Sequence, residues 1–265
     1  MKKKIFGLIA ALTLGTLMLT GCGNNSTGSN DDNTFVVGFD AEYPPYGYMD
    51  ENGEYTGFDL ELAEAVCELE GWTLVKQPIV WDNKDNELNS GSIDCIWNGF
   101  TIDGREDDYT WSVPYVDNSQ VIVVNKNSGI QALTDLKDKV VGVQAASAAL
   151  SVLEDVEQQK ALADTFKTLQ TFADYNTAFA ELQAGSVDAI AMDIGVAQYQ
   201  LNSRGNGEFV ILEDHLNAEQ YAVGFKLGNT ELRDTINADL QKLKEDGTFD
   251  ALAEKYELTD MVCLD

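Results

Sequence analysis

The sequence predicts an α/β protein built as two similar lobes around a cleft. Two observations carry this. Residues 87–96, Glu-Leu-Asn-Ser-Gly-Ser-Ile-Asp-Cys-Ile, return at 181–190 as Glu-Leu-Gln-Ala-Gly-Ser-Val-Asp-Ala-Ile, 94 residues on from Glu87 to Glu181. Each copy has the form of a helix end, a glycine stop and a buried strand. That period is too long for a solenoid and suits a small α/β lobe. Short apolar runs also alternate with segments of helical periodicity along the chain, which argues for α/β layers and against a β-sandwich. In such sheets ligands lie beyond the carboxyl ends of strands. Just past the two copies stand Trp97-Asn98-Gly99-Phe100-Thr101 and Ala191-Met192-Asp193. Those two ends are expected to face each other across the cleft.

The N-terminus reads as a processing signal. Lys2, Lys3 and Lys4 precede an apolar run from Ile5 to Leu19, shorter than the ~20 residues of a membrane span. The run closes on Leu19-Thr20-Gly21-Cys22, which resembles the lipobox of bacterial lipoproteins. The resemblance implies cleavage before Cys22 and a lipid on that residue. Residues 1–21 are then a signal peptide. Residues 22–33, rich in Gly, Asn, Ser and Asp, are a flexible tether, so the body is held near a membrane by lipid.

The elements of the body come in this order. Phe35–Phe39 is an apolar strand leading into an aromatic, proline-stiffened loop, Asp40 to Tyr46. Phe58, Leu62, Ala65, Val66 and Leu69 recur at helical spacing, with Asp59 and Glu61 near the helix N-terminus and Gly71 as the stop. Leu74–Val80 is a strand, Trp81-Asp82 begins a loop, and a helix near Asp85–Asn89 feeds the first repeat strand. Val121–Val124 is a strand crossing into the second lobe. There Leu133–Leu136 is a short helix, Val140–Val143 a strand, and Ser147 opens a helix through about Gln159. Thr168–Phe172 is a strand and Tyr175–Ala184 the helix of the second repeat. Val210–Leu212 and Tyr221–Phe225 are strands that return the chain. Leu232, Ile236, Leu240 and Leu243 line a helix ending at Gly247, and Phe249–Tyr256 is the last helix. The expected lobes are 34–119 with 216–265, and 120–215, joined by crossovers near Ser119–Val124 and His215–Tyr221.

Composition removes several functions. With 17 Lys plus Arg against 45 Asp plus Glu, the formal net charge is −28, so nucleic acid is not an expected partner. Cys67, Cys95 and Cys263 have no zinc-ligand spacing, and no metal or cofactor is expected. Cys67 and Cys95 read as small buried hydrophobes, with a disulfide between them left open. His215 is the single histidine and reads as a surface residue, so a histidine-based triad has one candidate.

Several motifs, in this order and spacing, make the body similar to the solute-binding proteins of polar amino acid ABC transporters. They are Tyr43-Pro44-Pro45-Tyr46-Gly47, Gly57-Phe58-Asp59, Trp81-Asp82 with Leu88-Asn89-Ser90-Gly91, Thr101-Ile102 with Arg105, Ser112 with Pro114-Tyr115, Asp188-Ala189 with Asp193, Leu232-Arg233-Asp234 and Asp246-Gly247-Thr248. The resemblance runs from about Val36 to Tyr256. It implies a type II periplasmic-binding-protein fold, with two crossover strands and lobes that close over one free amino acid. It also implies an extracytoplasmic monomer that serves an ABC permease and is not an enzyme.

The residues suit that ligand on their own terms. A carboxylate needs a cation and backbone donors. Arg105 offers a two-pronged contact that a lysine cannot reproduce, Thr101 a backbone N–H, and Ser147 a helix N-terminus and a hydroxyl. An ammonium needs acceptors, for which Asp193 and, 94 residues before it, the Gly99 carbonyl are placed equivalently; Asn98 stands beside them. The resemblance assigns Arg105 and Asp193 the same roles. Competing readings are a surface Arg in an acidic loop and a turn-forming Asp. Tyr43, Trp81 and Trp97 are expected to meet the ligand side chain, although Trp97 also reads as core. Asp40 and Glu42 either select a cationic or polar side chain or only polarise the rim. Two departures bear on the carboxylate: the Thr101–Arg105 segment is one residue short for the family, and Ala146-Ser147-Ala148 replaces a Gly followed by hydroxyl residues. Two other functions remain open on this fold. One is a dehydratase similar to the cyclohexadienyl and arogenate enzymes, with Glu42 or Asp82 as general acid. The other is a sensor with a separate signalling partner.

Overall fold

A computed structural model describes residues 33–205 and 207–264. The expected signal peptide, Cys22 and the tether up to Asp32 lie outside these residues.

The chain enters on β1 (Thr34–Phe39), followed by three short strands, β2 (Glu42–Tyr43), β3 (Gly47–Met49) and β4 (Tyr55–Thr56). These three form a small antiparallel sheet of their own. The sequence reads as a loop here because strands of two or three residues, interrupted by Pro44-Pro45, show no alternation to detect. Helix α1 (Phe58–Glu70) buries Phe58, Leu60, Leu62, Ala63, Val66 and Cys67, and stops at Gly71, whose φ of 68° is left-handed. Next come β5 (Thr73–Pro78), a short turn of 3₁₀ helix at Trp81–Asn83, α2 (Lys84–Ser90), β6 (Cys95–Ile96) and β7 (Thr110–Trp111).

The long strand β8 (Val116–Asn125) leads to β9 (Val140–Gln144), α3 (Ala148–Asp155), α4 (Glu157–Ala163), β10 (Thr168–Phe172), α5 (Tyr175–Ala184), β11 (Ala189–Asp193), α6 (Ile194–Arg204) and β12 (Phe209–Ile211). The chain returns on β13 (Asn217–Tyr221) and ends with β14 (Gly224–Phe225), α7 (Thr230–Glu245) and α8 (Thr248–Lys255). Three expectations change. The helix from Ser147 breaks at Val156, which is extended (φ −78°, ψ 115°). The strand Tyr221–Phe225 splits, with Tyr221 ending β13 and Gly224-Phe225 forming β14 in the other sheet. Helix α6 was not expected; glycine at its second position and a mixed face with Gln198, Gln200 and Asn202 hide its period.

Two larger sheets organise the molecule. The first has the order β5-β1-β6-β14-β7, with β5, β1 and β6 parallel and β14 antiparallel to both neighbours. The second has the order β10-β9-β11-β8-β12, with β10, β9 and β11 parallel and β8 antiparallel. Strand β13 pairs antiparallel with the first half of β8, Tyr221 opposite Val116 and Asn217 opposite Gln120. The second half of β8 belongs to the second sheet. The two connections between sheets therefore run side by side.

The repeat is structural. Gly91 and Gly185 both cap their helices in the left-handed region (φ 79° and 75°). Ser92 N donates to Glu87 O at 3.0 Å, and Ser186 N to Glu181 O at 2.9 Å. Asp94 then clasps the start of β1: its N–H donates to Val36 O at 2.8 Å and its Oδ2 accepts from Val36 N at 2.7 Å. Asp188 does the same to β9, through Val140 O at 2.8 Å and Val140 N at 2.8 Å. Cys67 and Cys95 are buried free thiols, not bonded to each other; burial pushes the Cys67 thiol up to about 12. His215 is exposed.

Candidate functional site

The carboxyl ends of the two sheets' strands meet in one small cavity. It is lined by Tyr43, Trp81, Asn98, Gly99, Phe100, Thr101 and Arg105 on one side and by Gln144, Ser147, Ala148 and Asp193 on the other. Eight of the residues singled out in the sequence are thus brought together. Trp97 is not among them. It is fully buried in the core shared with Phe39, Cys95 and Tyr115, so the core reading replaces the expectation that it meets the ligand. The spacing argument places a strand-end residue near the site but does not say which face of the strand it occupies.

Each side chain is held from behind. Gly99 has φ 55°, and a Cβ there would approach Tyr221, Tyr43 and Tyr46 to 3.0, 3.1 and 3.2 Å, so the close approach of the backbone requires glycine. The Gly99 N–H donates to Asp59 Oδ2 at the start of α1. Burial drives the Asp59 carboxyl from its ordinary 3.8 up to about 7. The Arg105 guanidinium lies 5.3 Å from the centre of the Phe100 ring. It donates weakly to Thr101 O at 3.3 Å and to Ala146 O at 3.4 Å. Arg105 forms no ion pair among the described residues, which leaves its charge for an anion. Ser147 caps α3, its hydroxyl accepting from Leu150 N at 3.2 Å, so helix N-terminal amides point at the cavity.

Asp193 sits in a deeper polar cluster that the sequence did not suggest. Its Oδ1 accepts from Asn118 Nδ2 at 2.8 Å, Gln120 Nε2 at 2.7 Å and the Tyr221 hydroxyl at 2.6 Å. The register explains the convergence: Gln120 lies opposite Asp193 in one pairing and Asn217 in the other, and Glu219 lies opposite Asn118. Alternation on β8 and β13 then puts Asn118, Gln120, Glu219 and Tyr221 within reach of one another. The available signal was weak: Asn118-x-Gln120 and Glu219-x-Tyr221 alternate at period two, but Asp117, Ser119 and Gln220 between them are polar as well. Phe100 and Ala148 were given no role although each adjoins a named site residue, and Gln144, the last residue of β9, was missed.

Four contacts join the two walls above the cavity. Trp81 Nε1 donates to Ala146 O at 3.2 Å, Arg105 to the same oxygen, and Gln144 Nε2 to Asp40 Oδ2 at 2.6 Å. Asn176 Nδ2 donates to Glu42. Asp40 and Ala146 are therefore latch residues beside the cavity, and Glu42 is an exposed part of the rim. Burial raises the Asp40 carboxyl despite its hydrogen bonds. Ala146 holds a left-handed φ of 55°. The cavity left between the walls is about 10 Å³, room for roughly one water molecule.

Residues 35–259 match the bacterial extracellular solute-binding proteins, family 3. The L-cystine-binding protein TcyJ of Escherichia coli (strain K12) is 30% identical over 226 residues, covering 84% of this chain and 82% of that one. The probable amino-acid-binding protein YxeM of Bacillus subtilis (strain 168) is 31% identical over 261 residues, covering 97% and 95%. The structure of an ABC uptake transporter substrate-binding protein from Streptococcus pneumoniae with bound histidine superposes with a TM-score of 0.80 at 33% identity, covering 84% and 92%.

Proposed function

The chain belongs to the bacterial extracellular solute-binding proteins of family 3, amino-acid-binding proteins of ABC transport with the type II two-lobed fold; from that premise we propose that it is a lipid-anchored receptor that closes on one free amino acid and delivers it to an ABC permease. The observation that carries the site is a cation that forms no ion pair among the described residues and a buried carboxylate, both lining one cavity, Arg105 on one wall and Asp193 on the other. The ligand carboxylate binds Arg105, the Thr101 N–H and the Ser147 helix end. The ammonium binds Asp193 and the Gly99 carbonyl, with Asn98 alongside. Tyr43 and Trp81 cover the side chain. The relatives this chain matches are binding proteins of ABC transport, not enzymes.

The lobes are taken as 34–119 with 216–265 and 120–215, hinged where β8 and β13 run together. A cavity of about 10 Å³ cannot admit an amino acid, so the latch from Trp81 to Ala146 and from Asp40 to Gln144 must open for entry and close behind the ligand. Closure is favoured because both walls contact the ligand only when shut. The reading extends to cleavage at Gly21–Cys22 and lipid on Cys22; no described helix is long and apolar enough to cross a membrane. Cys22→Ser is then expected to leave the membrane fraction.

A thermal-shift screen of the twenty amino acids with cystine and ornithine tests the receptor reading, since a ligand that binds the native state alone raises the melting point. One or a few are expected to stabilise. Small-angle scattering should then give a smaller radius of gyration with the cognate ligand than without it. Silence across the whole set overturns the reading.

A further inference from the structure

Behind Asp193 a second carboxylate, Glu219, lies 4% exposed, against 2% for Asp193. The same two amide groups serve both acids. Asn118 Nδ2 donates to Asp193 Oδ1 at 2.8 Å and to Glu219 Oε1 at 2.7 Å. Gln120 Nε2 donates to the same two oxygens at 2.7 and 2.8 Å. Thr101 Oγ1 adds a third donor to Glu219 Oε1 at 2.8 Å. No Lys, Arg or His forms an ion pair with either acid among the described residues. Two carboxylates that share donors at this depth cannot both be ionised cheaply.

The inventory of donors gives the same result by a separate route. Glu219 Oε2, Asn118 Oδ1 and Gln120 Oε1 are all buried and without a hydrogen-bond partner. All three are acceptors, so the cluster lacks hydrogens rather than lone pairs. A proton, or an ammonium with its three N–H groups, supplies what is missing.

We propose that Glu219 is a positioning residue that keeps one proton on the Asp193–Glu219 pair in the empty receptor and gives it up when the ligand ammonium arrives, so that binding is coupled to proton release. This rests on the reading of Asp193 as the ammonium partner. The proton leaves the Glu219 carboxyl for solvent as the ammonium's charge replaces it beside the pair, and no covalent bond other than O–H is broken. Hydrogen bonds from Gln120, Asn118 and Thr101 favour the ionised form of Glu219, but burial and the charge of Asp193 outweigh them. Asp193 faces Glu219 from β11, and the hydroxyls of Tyr46, Tyr175 and Tyr221 approach from the β2–β3 connection, α5 and β13. Asp103, Asp117 and Asp260 line the outer groove that Glu219 also meets. None carries positive charge. Burial first, and the charge of Asp193 second, push the Glu219 carboxyl from 4.5 up to about 7.

Calorimetry in buffers of different ionisation enthalpy counts the protons. The probe is the amino acid that gives the largest thermal shift, and the comparison is the wild type with Glu219→Gln, so that the ligand's own titration cancels. The wild type is expected to release about one more proton than the variant near pH 6.5. Its affinity should fall roughly tenfold per pH unit below 7, while that of the variant stays flat. Equal proton counts, or parallel pH profiles in two proteins that both bind, overturn the proposal. If Glu219→Gln does not fold, infrared spectra of the wild type decide: loss of part of the buried carboxylic acid intensity on adding the probe, beyond the share that Asp59 retains, supports the proposal, and intensity wholly unchanged by ligand refutes it. Failure of every amino acid to bind the wild type overturns the site reading instead.

Discussion

The two repeats are built alike up to the strand and differ just beyond it. In both, a left-handed glycine stops the helix and an aspartate clasps the neighbouring strand. After Cys95-Ile96 the first lobe leaves its sheet, and the left-handed Gly99 presents backbone at the cavity before the chain reaches Arg105. In the second lobe the strand continues from Ala189 to Asp193 and turns directly into α6. One wall therefore offers a cation and peptide groups, the other a carboxylate and a helix end. The shared part of the repeat is scaffold; the chemistry lies in the residues past its end. A zwitterion needs unlike walls, and a duplicated scaffold supplies them by diverging past a common strand.

The largest test breaks each wall in turn. Arg105→Lys keeps the charge and loses the planar fork. Asp193→Asn keeps the shape and leaves an ammonium unpaired. Removing one partner of a buried charge contact costs ~2–5 kcal/mol, so each variant should bind at least about a hundredfold more weakly by calorimetry. Unchanged affinity in a folded variant removes that wall from the site.

Each wall also rests on a buried acid: Asp59 behind Gly99, and Glu219 behind Asp193. Both carboxyls are raised to about 7, mainly by burial. A native state that holds protons more tightly than the unfolded chain loses stability as pH rises between the two values. The free protein should therefore melt higher near pH 5 than near pH 8. The difference is on the order of a few kcal/mol, at ~1.4 kcal/mol per pKa unit for each group. Asp59→Asn and Glu219→Gln should each flatten part of the profile when melting is followed by circular dichroism. A flat wild-type profile would mean that neither acid is neutral in the fold.

The common scaffold predicts equality. Asp94 and Asp188 are both half-buried and each bonds the backbone near the start of a neighbouring strand, at Val36 and Val140. Asp94→Ala and Asp188→Ala should each cost ~1.5–3 kcal/mol, the range for a hydrogen bond to a charged group. Denaturant unfolding that found one costly and the other neutral would show that the repeat is not carried equally by the two lobes.

Most of the scaffold could be read from the sequence, because it depends on local signals. Gly71, Gly91 and Gly185 stop helices, and Thr168–Phe172 and Tyr175–Ala184 have the extents expected. The first line of the site could be read too, since Ser147 and Asp193 lie at a helix and a strand end and Thr101 and Arg105 on the loop past the first repeat strand. What escaped depends on pairing across long separations. Asn118, Gln120 and Glu219 meet Asp193 only because β8 and β13 cross between sheets in one register. Trp97 misled because a position next to the site does not fix which way a ring points. The exchange of Ala146 for the glycine usual in the family was visible, but its consequence needed the backbone angle.

That angle sets the smallest prediction. Ala146 sits at φ 55°, where an L-residue costs roughly 1–2 kcal/mol relative to the right-handed region. Glycine would remove this cost but gain freedom in the unfolded chain worth ~0.4–1 kcal/mol, so Ala146→Gly should raise stability by about 0.5 kcal/mol. The Ala146 carbonyl also receives Trp81 Nε1 and Arg105 Nη2 from the opposite wall, contacts that exist only with the lobes together. If the turn holds its left-handed angle whether the receptor is open or closed, the gain appears as a higher melting point for the free protein and affinity is unchanged. If the turn adopts that angle only on closing, the free protein melts as before and the ligand binds about two- to threefold more tightly. Melting and calorimetry on the one variant therefore distinguish a wall formed in advance from a wall completed by the other lobe. A variant that neither melts higher nor binds more tightly would show that the alanine is not strained in this turn.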